Sequence, residues 1–317
     1  MASAEQSRVF TNGKSKFENI SGQFRPGQAS FYESIMTPSL SELNENYWTP
    51  DKIQTATRLM QALHTELVPY GVPPTPVFDK NQFRRLGEKD RMGGRAHGHS
   101  GLVFMSESTY QYFDHRLHTM AHEYTHTLSA RVLRNGRLRR QGIQTPLHNR
   151  NERKVGPYLG PLWPLARPAV KAFTKTEGIH TGFQKISEAI VEKTSHRILA
   201  NNFEWYKGFG SGSSYYSYIE IVDLICKRVA EVNPQYGAAD DVYRLFEAAE
   251  FGNGRFLPLA RAVESTYGKG SFANIMTAVE SLPQWNEHKD YKYKAFYPVL
   301  EGKASLDDYV GTINFRP

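Results

Sequence analysis

Cysteine is almost absent: Cys226 is the only one in 317 residues, which excludes an internal disulfide and any thiolate cluster for metal. Its setting in IEIVDLICKRVA places it on an apolar helix face, where a lone thiol serves as core packing. No run of about 18 apolar residues occurs, and the mean hydropathy is negative, so no membrane span is expected. The opening stretch MASAEQSRVFTNGKSKFENISGQF has no apolar segment behind its basic residues, hence neither a secretory leader nor a lipid anchor is read there and the expected compartment is the cytoplasm. Acidic residues are scarce in one place. Between Arg131 and Lys154 eight Lys or Arg face a single Glu152, which accounts for the whole net charge of +7.

What remains is enough for a sizeable core, with 39% hydrophobic and 13% aromatic residues. Residues 1–45 are polar and show no sustained period, so a loosely held arm is expected, followed by one folded domain over 46–317. Thr49 and Pro50 open a helix whose Ile53, Ala56, Leu59, Met60, Leu63 and Leu67 share one face. The prolines of VPYGVPPTPVFD stop it, and LVFM, after a glycine-containing polar stretch, reads as a strand. From Asp114 to about Arg134 the spacing of Leu117, Ala121, Tyr124, Leu128 and Val132 predicts a helix capped by Asp114 or a nearby Ser or Thr. The basic stretch that follows, residues 136–178, is broken by Gly and Pro and reads as a long surface excursion. A second helix is predicted over residues 182–200, and four helical segments follow the Gly/Ser-rich KGFGSGSS. The fold class is therefore α+β and mainly helical, with a small strand-containing N-terminal lobe (46–135) and a helical C-terminal lobe (179–317).

Within the first of these two helices lies HTMAHEYTH, three of the chain's eleven histidines in nine residues. His122 and His126 stand one helical turn apart and point the same way, so they can share a zinc ion, while Glu123 is offset toward the water that such an ion acidifies. A carboxylate there is a general base for hydrolysis. A catalytic zinc needs a third protein ligand. His118 is on the same face, but three ligands over two turns of a straight helix spread across about 12 Å, too far to close on one ion; it is assigned an outer role beside the ligands. Glu188, 62 residues after His126, is the better candidate. Glu192 lies one turn below it, placed to accept from the outer nitrogen of a ligand imidazole. Like charges at this spacing destabilise an isolated helix by a few tenths of a kcal/mol, and a cation would compensate them.

HEYTH followed by SEAIVE resembles the gluzincin metallopeptidases, in which H-E-x-x-H is followed by a helix bearing N-E-G-x-x-E. Ser187 stands where that pattern has Asn and Ala189 where it has Gly. The tail, SSYYSYIEIVDLI and then FEAAEFGNGRFLPLARAVESTYGKGSF, is similar to that of small bacterial gluzincin-like proteins. The resemblance spans about residues 102–282, with specific motifs only on the two helices. It implies a zincin-like domain with a Zn²⁺ cofactor held by His122, His126 and Glu188, Glu123 as base, Glu192 as the orienting acid, and a peptide or protein substrate. It also implies an oxyanion donor, for which Tyr216, in the cluster Tyr215, Tyr216 and Tyr218, is the choice. Two other readings stand beside this one: a catalytically silent scaffold of the same fold, and a binder of nucleic acid or of an acidic partner through the Arg-rich segment 131–154. That segment lacks the interleaved aromatics of single-strand binders, which makes nucleic acid the weaker of its two partners.

Overall fold

The computed structural model describes residues 6–11, 14–19, 47–76, 78–86, 93–97, 102–106, 109, 116–134, 137–143, 145–146, 181–206, 215–252, 256–282 and 296–304. Strands β1 (Gln6–Thr11) and β2 (Lys14–Asn19) precede helix α1 (Pro50–Leu67), and β3 (Phe83–Arg85), β4 (Gly94–His97) and β5 (Leu102–Met105) follow it. Helix α2 (Leu117–Leu128) leads into β6 (Arg131–Arg134), β7 (Arg137–Gln141) and β8 (Thr145–Pro146). After β9 (Thr181–Gly182) the chain is helical: α3 (Gln184–Asn202), α4 (Tyr216–Val232), α5 (Ala239–Phe251), α6 (Leu257–Tyr267) and α7 (Ser271–Ser281). The mainly helical α+β reading holds, and none of the described helices is long and apolar enough to cross a membrane.

Helix α1 begins where the sequence places it: the Thr49 side chain accepts from the Lys52 backbone N–H at 3.4 Å, and Pro50 occupies the first turn, where no N–H is required. LVFM is strand β5, buried at all four positions and central in the order β3–β5–β4, parallel to β3 and antiparallel to β4. The helical segments of the C-terminal region are α4 to α7, and Cys226 is buried in their core.

Three expectations need correction. Helix α2 starts at Leu117 with no side-chain cap and stops at Leu128, because Ser129 turns into extended backbone (φ −57°, ψ 138°) and Arg131–Arg134 pairs as a strand. The helical alignment of Leu128 with Val132 is therefore coincidental. Second, the start of the basic stretch is sheet rather than excursion: β6 and β7 form an antiparallel hairpin with an irregularity between Val132 and Leu133. Third, the N-terminal arm contains two strands. β1 runs antiparallel to β2 and parallel to β6, giving the order β2–β1–β6–β7. Residues 147–180 and the Gly/Ser loop at 207–214 lie outside the described residues.

Two apolar cores flank α2 and α3. Tyr47, Trp48, Leu59, Met60, Leu63, Phe83, Val103, Met105, Met120 and Tyr124 form the first, and the second is built from α3 to α7 around Ile190, Val222, Phe246, Val263, Met276 and Phe296. Each such side chain contributes about 1.5–3 kcal/mol when withdrawn from water. Helix α3 joins both, placing Ile186, Ala189, Ile190 and Val191 in the second core and Ile198 and Leu199 in the first. This is why its apolar residues show no single stripe: it is buried on several sides, and its polar positions are buried with it. Small residues let α2 and α3 approach closely, with the Ser195 hydroxyl meeting Thr125 at 3.0 Å. On the far side of α2 the Tyr124 hydroxyl donates to His64 Nε2 at 2.9 Å, while His64 Nδ1–H donates to the Pro73 carbonyl at 2.6 Å, fixing α2 on α1.

Candidate metal centre

The helical spacing that stacks His122 over His126 also aims both at α3. His122 Nε2 and His126 Nε2 are 3.1 Å apart, and Glu188 Oε2 stands 3.2 Å from the first and 3.0 Å from the second. Four-coordinate zinc with bonds of about 2.0–2.1 Å separates its ligands by about 3.3 Å. The three donors thus form one triangular face of such a polyhedron. Both imidazoles are buried, and the Glu188 side chain is 16% exposed.

Glu123 is a second carboxylate beside the histidines, one of its oxygens lying within 4.8 Å of an imidazole nitrogen of each. Two observations separate its position from that of Glu188. Its carboxylate accepts from the backbone N–H of Ala96 on β4, so it is tethered to the sheet. Gly94, also on β4, leaves room for it: a Cβ there would lie 2.6 Å from Glu123 Cγ and 3.0 Å from Oε1. Close approach of β4 to α2 requires glycine at this position. The polar glycine-containing stretch before LVFM therefore has a structural purpose that its composition alone did not reveal.

The Glu192 carboxylate lies beside the outer nitrogen of His122. Its Oε2 is 2.5 Å from His122 Nδ1, leaving Nε2 to face Glu188, and its Oε1 is 3.3 Å from His196 Nε2. His196 stands beside Glu192, and its other nitrogen contacts the Tyr206 hydroxyl. His118 reaches the site through His196, stacking on it with ring centroids 6.1 Å apart. Such outer contacts determine which imidazole nitrogen carries the proton.

The tyrosine next to the donors is Tyr215. Its ring is nearly parallel to that of His122, with centroids 5.3 Å apart, and its hydroxyl hydrogen-bonds the Glu188 side chain. Tyr216, the residue expected here, is 43% exposed. The two differ because α4 begins at Tyr216, with Tyr215 as the residue before the first turn. A helix start cannot be placed to one residue within SSYYSY, where several serines offer competing caps and none of them forms one.

The charges are unbalanced in a consistent direction. Burial opposes the charged form of His122, but hydrogen bonds to Glu188 and Glu192 outweigh it and hold the imidazole well above its ordinary value. His126 is raised as well, burial being overcome by Glu188. Burial acts to raise Glu188, yet the charges and hydrogen bonds of His126 and His122 bring it well below the carboxylate range. Glu123 is raised, by burial first. Three carboxylates around two imidazoles thus favour positive charge at the point where the donors meet, a charge that a divalent cation would supply. The residues fit such an ion.

No family model, curated protein or solved structure matches the chain. What the structure itself carries is a buried His122, Glu123 and His126 group able to hold a metal ion, with Glu188 at coordination spacing.

Behind the donors lies a carboxylate that no motif announced. Glu250, on α5, is fully buried; its Oε1 accepts from the Ser129 hydroxyl at 2.6 Å and the Ser187 hydroxyl at 3.0 Å, and its Oε2 from the Ile143 backbone N–H at 2.9 Å. Its own carbonyl accepts from Ala130 N–H at 2.9 Å, and Gly142, at φ +55°, gives way to it: a Cβ there would fall 2.2 Å from the carboxyl. Ser187 precedes Glu188 and Ser129 ends the helix of His126, so Glu250 ties both α2 and α3 to α5. Glu250→Ala would leave three donors without an acceptor and is expected to cost about 3 kcal/mol or more. Burial holds the Glu250 carboxyl above its ordinary value, so its stabilising contribution is fully present below the unfolded-state pKa and is lost as pH rises through the folded one. Urea unfolding at two pH values measures both effects, and Glu250→Gln should flatten this part of the pH dependence.

Proposed function

We propose that the chain is a zinc-dependent peptidase of the gluzincin type, with Zn²⁺ held by His122, His126 and Glu188. The observation that carries this is the convergence of His122 Nε2, His126 Nε2 and Glu188 Oε2 to mutual distances of 3.0–3.2 Å from two separate helices, with Glu123 beside them. A bound zinc ion supplies Lewis-acid polarisation of a carbonyl and acidifies water near neutral pH. Glu123, held by Ala96 N–H and raised by burial, accepts the water proton at its carboxylate and returns it to the leaving amine. Glu192 keeps the proton of His122 on Nδ1, so that Nε2 remains a donor. Tyr215 is the phenol placed to donate to the developing oxyanion, the part that sequence assigned to Tyr216.

The test begins with the metal. Purified chain should contain about one zinc per molecule, and should cleave members of a peptide library. Chelation should remove the cleavage and added zinc should restore it. Absence of zinc binding in zinc-replete buffer would exclude the centre itself, whereas zinc binding without cleavage of any peptide would exclude the activity and leave the centre standing.

A further inference from the structure

Glu192 stands between two rings, and the second of them extends the site outward. His196 lies one turn after Glu192 on α3, with its side chain 14% exposed and its Nε2 3.3 Å from Glu192 Oε1. Its Nδ1 meets the Tyr206 hydroxyl, and its ring centroid is 5.5 Å from that of Tyr206 and 6.1 Å from that of His118. We infer that Tyr206 and His196 are positioning residues of the metal centre, a relay of hydrogen bonds through Glu192 to His122; the inference rests on the reading of His122 as a zinc ligand.

The sense of the relay follows from valence. An ionised carboxylate has lone pairs and no proton, so Glu192 can only accept. His196 must therefore donate through Nε2–H, and a neutral imidazole that does so has a bare Nδ1, which accepts from the Tyr206 O–H. The phenol thereby selects the one tautomer of His196 that serves Glu192. With Oε1 engaged by His196, Oε2 faces His122 Nδ1 at 2.5 Å, and His122 Nε2 keeps its lone pair toward Glu188 and His126. A carboxylate held from both oxygens has less freedom to swing away from the imidazole it orients.

The chain is built to deliver Tyr206 to this point. Helix α3 ends at Asn202, and Phe203, 3% exposed, is anchored in the first core with its N–H on the Leu199 carbonyl at 2.9 Å. Tyr206 N–H then bonds the Phe203 carbonyl at 2.9 Å, a turn that folds Tyr206 back beside α3 although ten residues separate it from His196. Arg58 of α1 lies over the Phe203 ring at 4.9 Å and donates to the Asn202 carbonyl, so the turn is fixed to α1 as well.

Zinc affinity of the full chain, measured by competition with a chromophoric chelator, tests the relay through a double-mutant cycle. Tyr206→Phe should weaken zinc binding by about threefold to tenfold, less than the about 10- to 100-fold that loss of a partner touching the ligand itself costs. His196→Phe, which keeps a ring and removes both nitrogens, should weaken it by about tenfold. His196→Gln retains an N–H for Glu192 and has no tautomer to select, so it should bind almost as wild type does, and adding Tyr206→Phe to it should change nothing further. A tyrosine that served packing alone would cost the same in both backgrounds. Unchanged circular dichroism shows that the variants remain folded.

Long-range nitrogen NMR at about pH 8, where an ordinary imidazole is neutral, reads the His196 proton directly. It should sit on Nε2 in wild type and be shared between the two nitrogens in Tyr206→Phe. A proton on Nδ1 in wild type, or zinc affinity equal in wild type and His196→Phe, would overturn the relay while the centre stands. A wild-type chain that binds no zinc would overturn the centre and the relay together, which distinguishes the two failures.

Discussion

Glu123→Gln is expected to retain its zinc and to lose peptide cleavage by about 10²- to 10⁴-fold, the range that a positioned acid–base group contributes. Glutamine keeps the shape of the side chain and an oxygen to accept from Ala96 N–H, so the tether to β4 survives while the proton acceptor does not. The donors at His122, His126 and Glu188 are untouched. Metal content and kcat therefore separate in this variant, and kcat should fall with little change in KM. Turnover equal to wild type would exclude Glu123 as the base. A wild-type chain that binds zinc without turnover, matched by an equally silent variant, would favour the scaffold reading, since the carboxylate would then have no chemical role to lose.

The residues that made the candidate metal centre legible in the sequence are those whose placement follows from spacing along one helix. His122 and His126 at i and i+4, and Glu188 and Glu192 at i and i+4, each fix a pair of neighbours whatever the tertiary structure. Bringing the pairs together needed only α2 against α3, and the small residues between them permit it. What stayed hidden depends on contacts distant in sequence. Glu250 is 121 residues from Ser129 and 107 from Ile143, and an isolated glutamate on an amphipathic helix carries no mark of being buried. Gly94 looked like loop composition because its purpose is the space it leaves for Glu123. The setting of His196 depends on Glu192 and Tyr206, which lie on either side of it along the chain and meet it only around the end of α3. The strands β6 and β7 were obscured by charge: five arginines between residues 131 and 140 mask the alternation that normally identifies a hairpin.

Glu188→Ala should separate the metal centre from the fold. In the metal-free protein His126 and His122 hold the Glu188 carboxylate well below its ordinary value, so its charged form stabilises the fold. Its removal forfeits those contacts, and the unfolding free energy without metal should fall at neutral pH; that metal-free value is the baseline from which the zinc effect is measured. With zinc the outcome differs. Wild type should gain about 2.7 kcal/mol when free zinc is a hundredfold above its Kd, because only the folded state presents the three donors. The variant retains two donors on one helix and loses the one that spans to α3. Its zinc affinity should therefore fall by more than the about 10- to 100-fold that loss of an outer partner costs, which is the decrease expected for Glu192→Ala. Thermal unfolding across a zinc titration compares all three proteins in one experiment, and the order wild type, Glu192→Ala, Glu188→Ala in zinc stabilisation is the expected result. If Glu188→Ala binds zinc as tightly as wild type, the carboxylate on α3 is not a ligand, and Glu123 would have to be the third donor instead of the base.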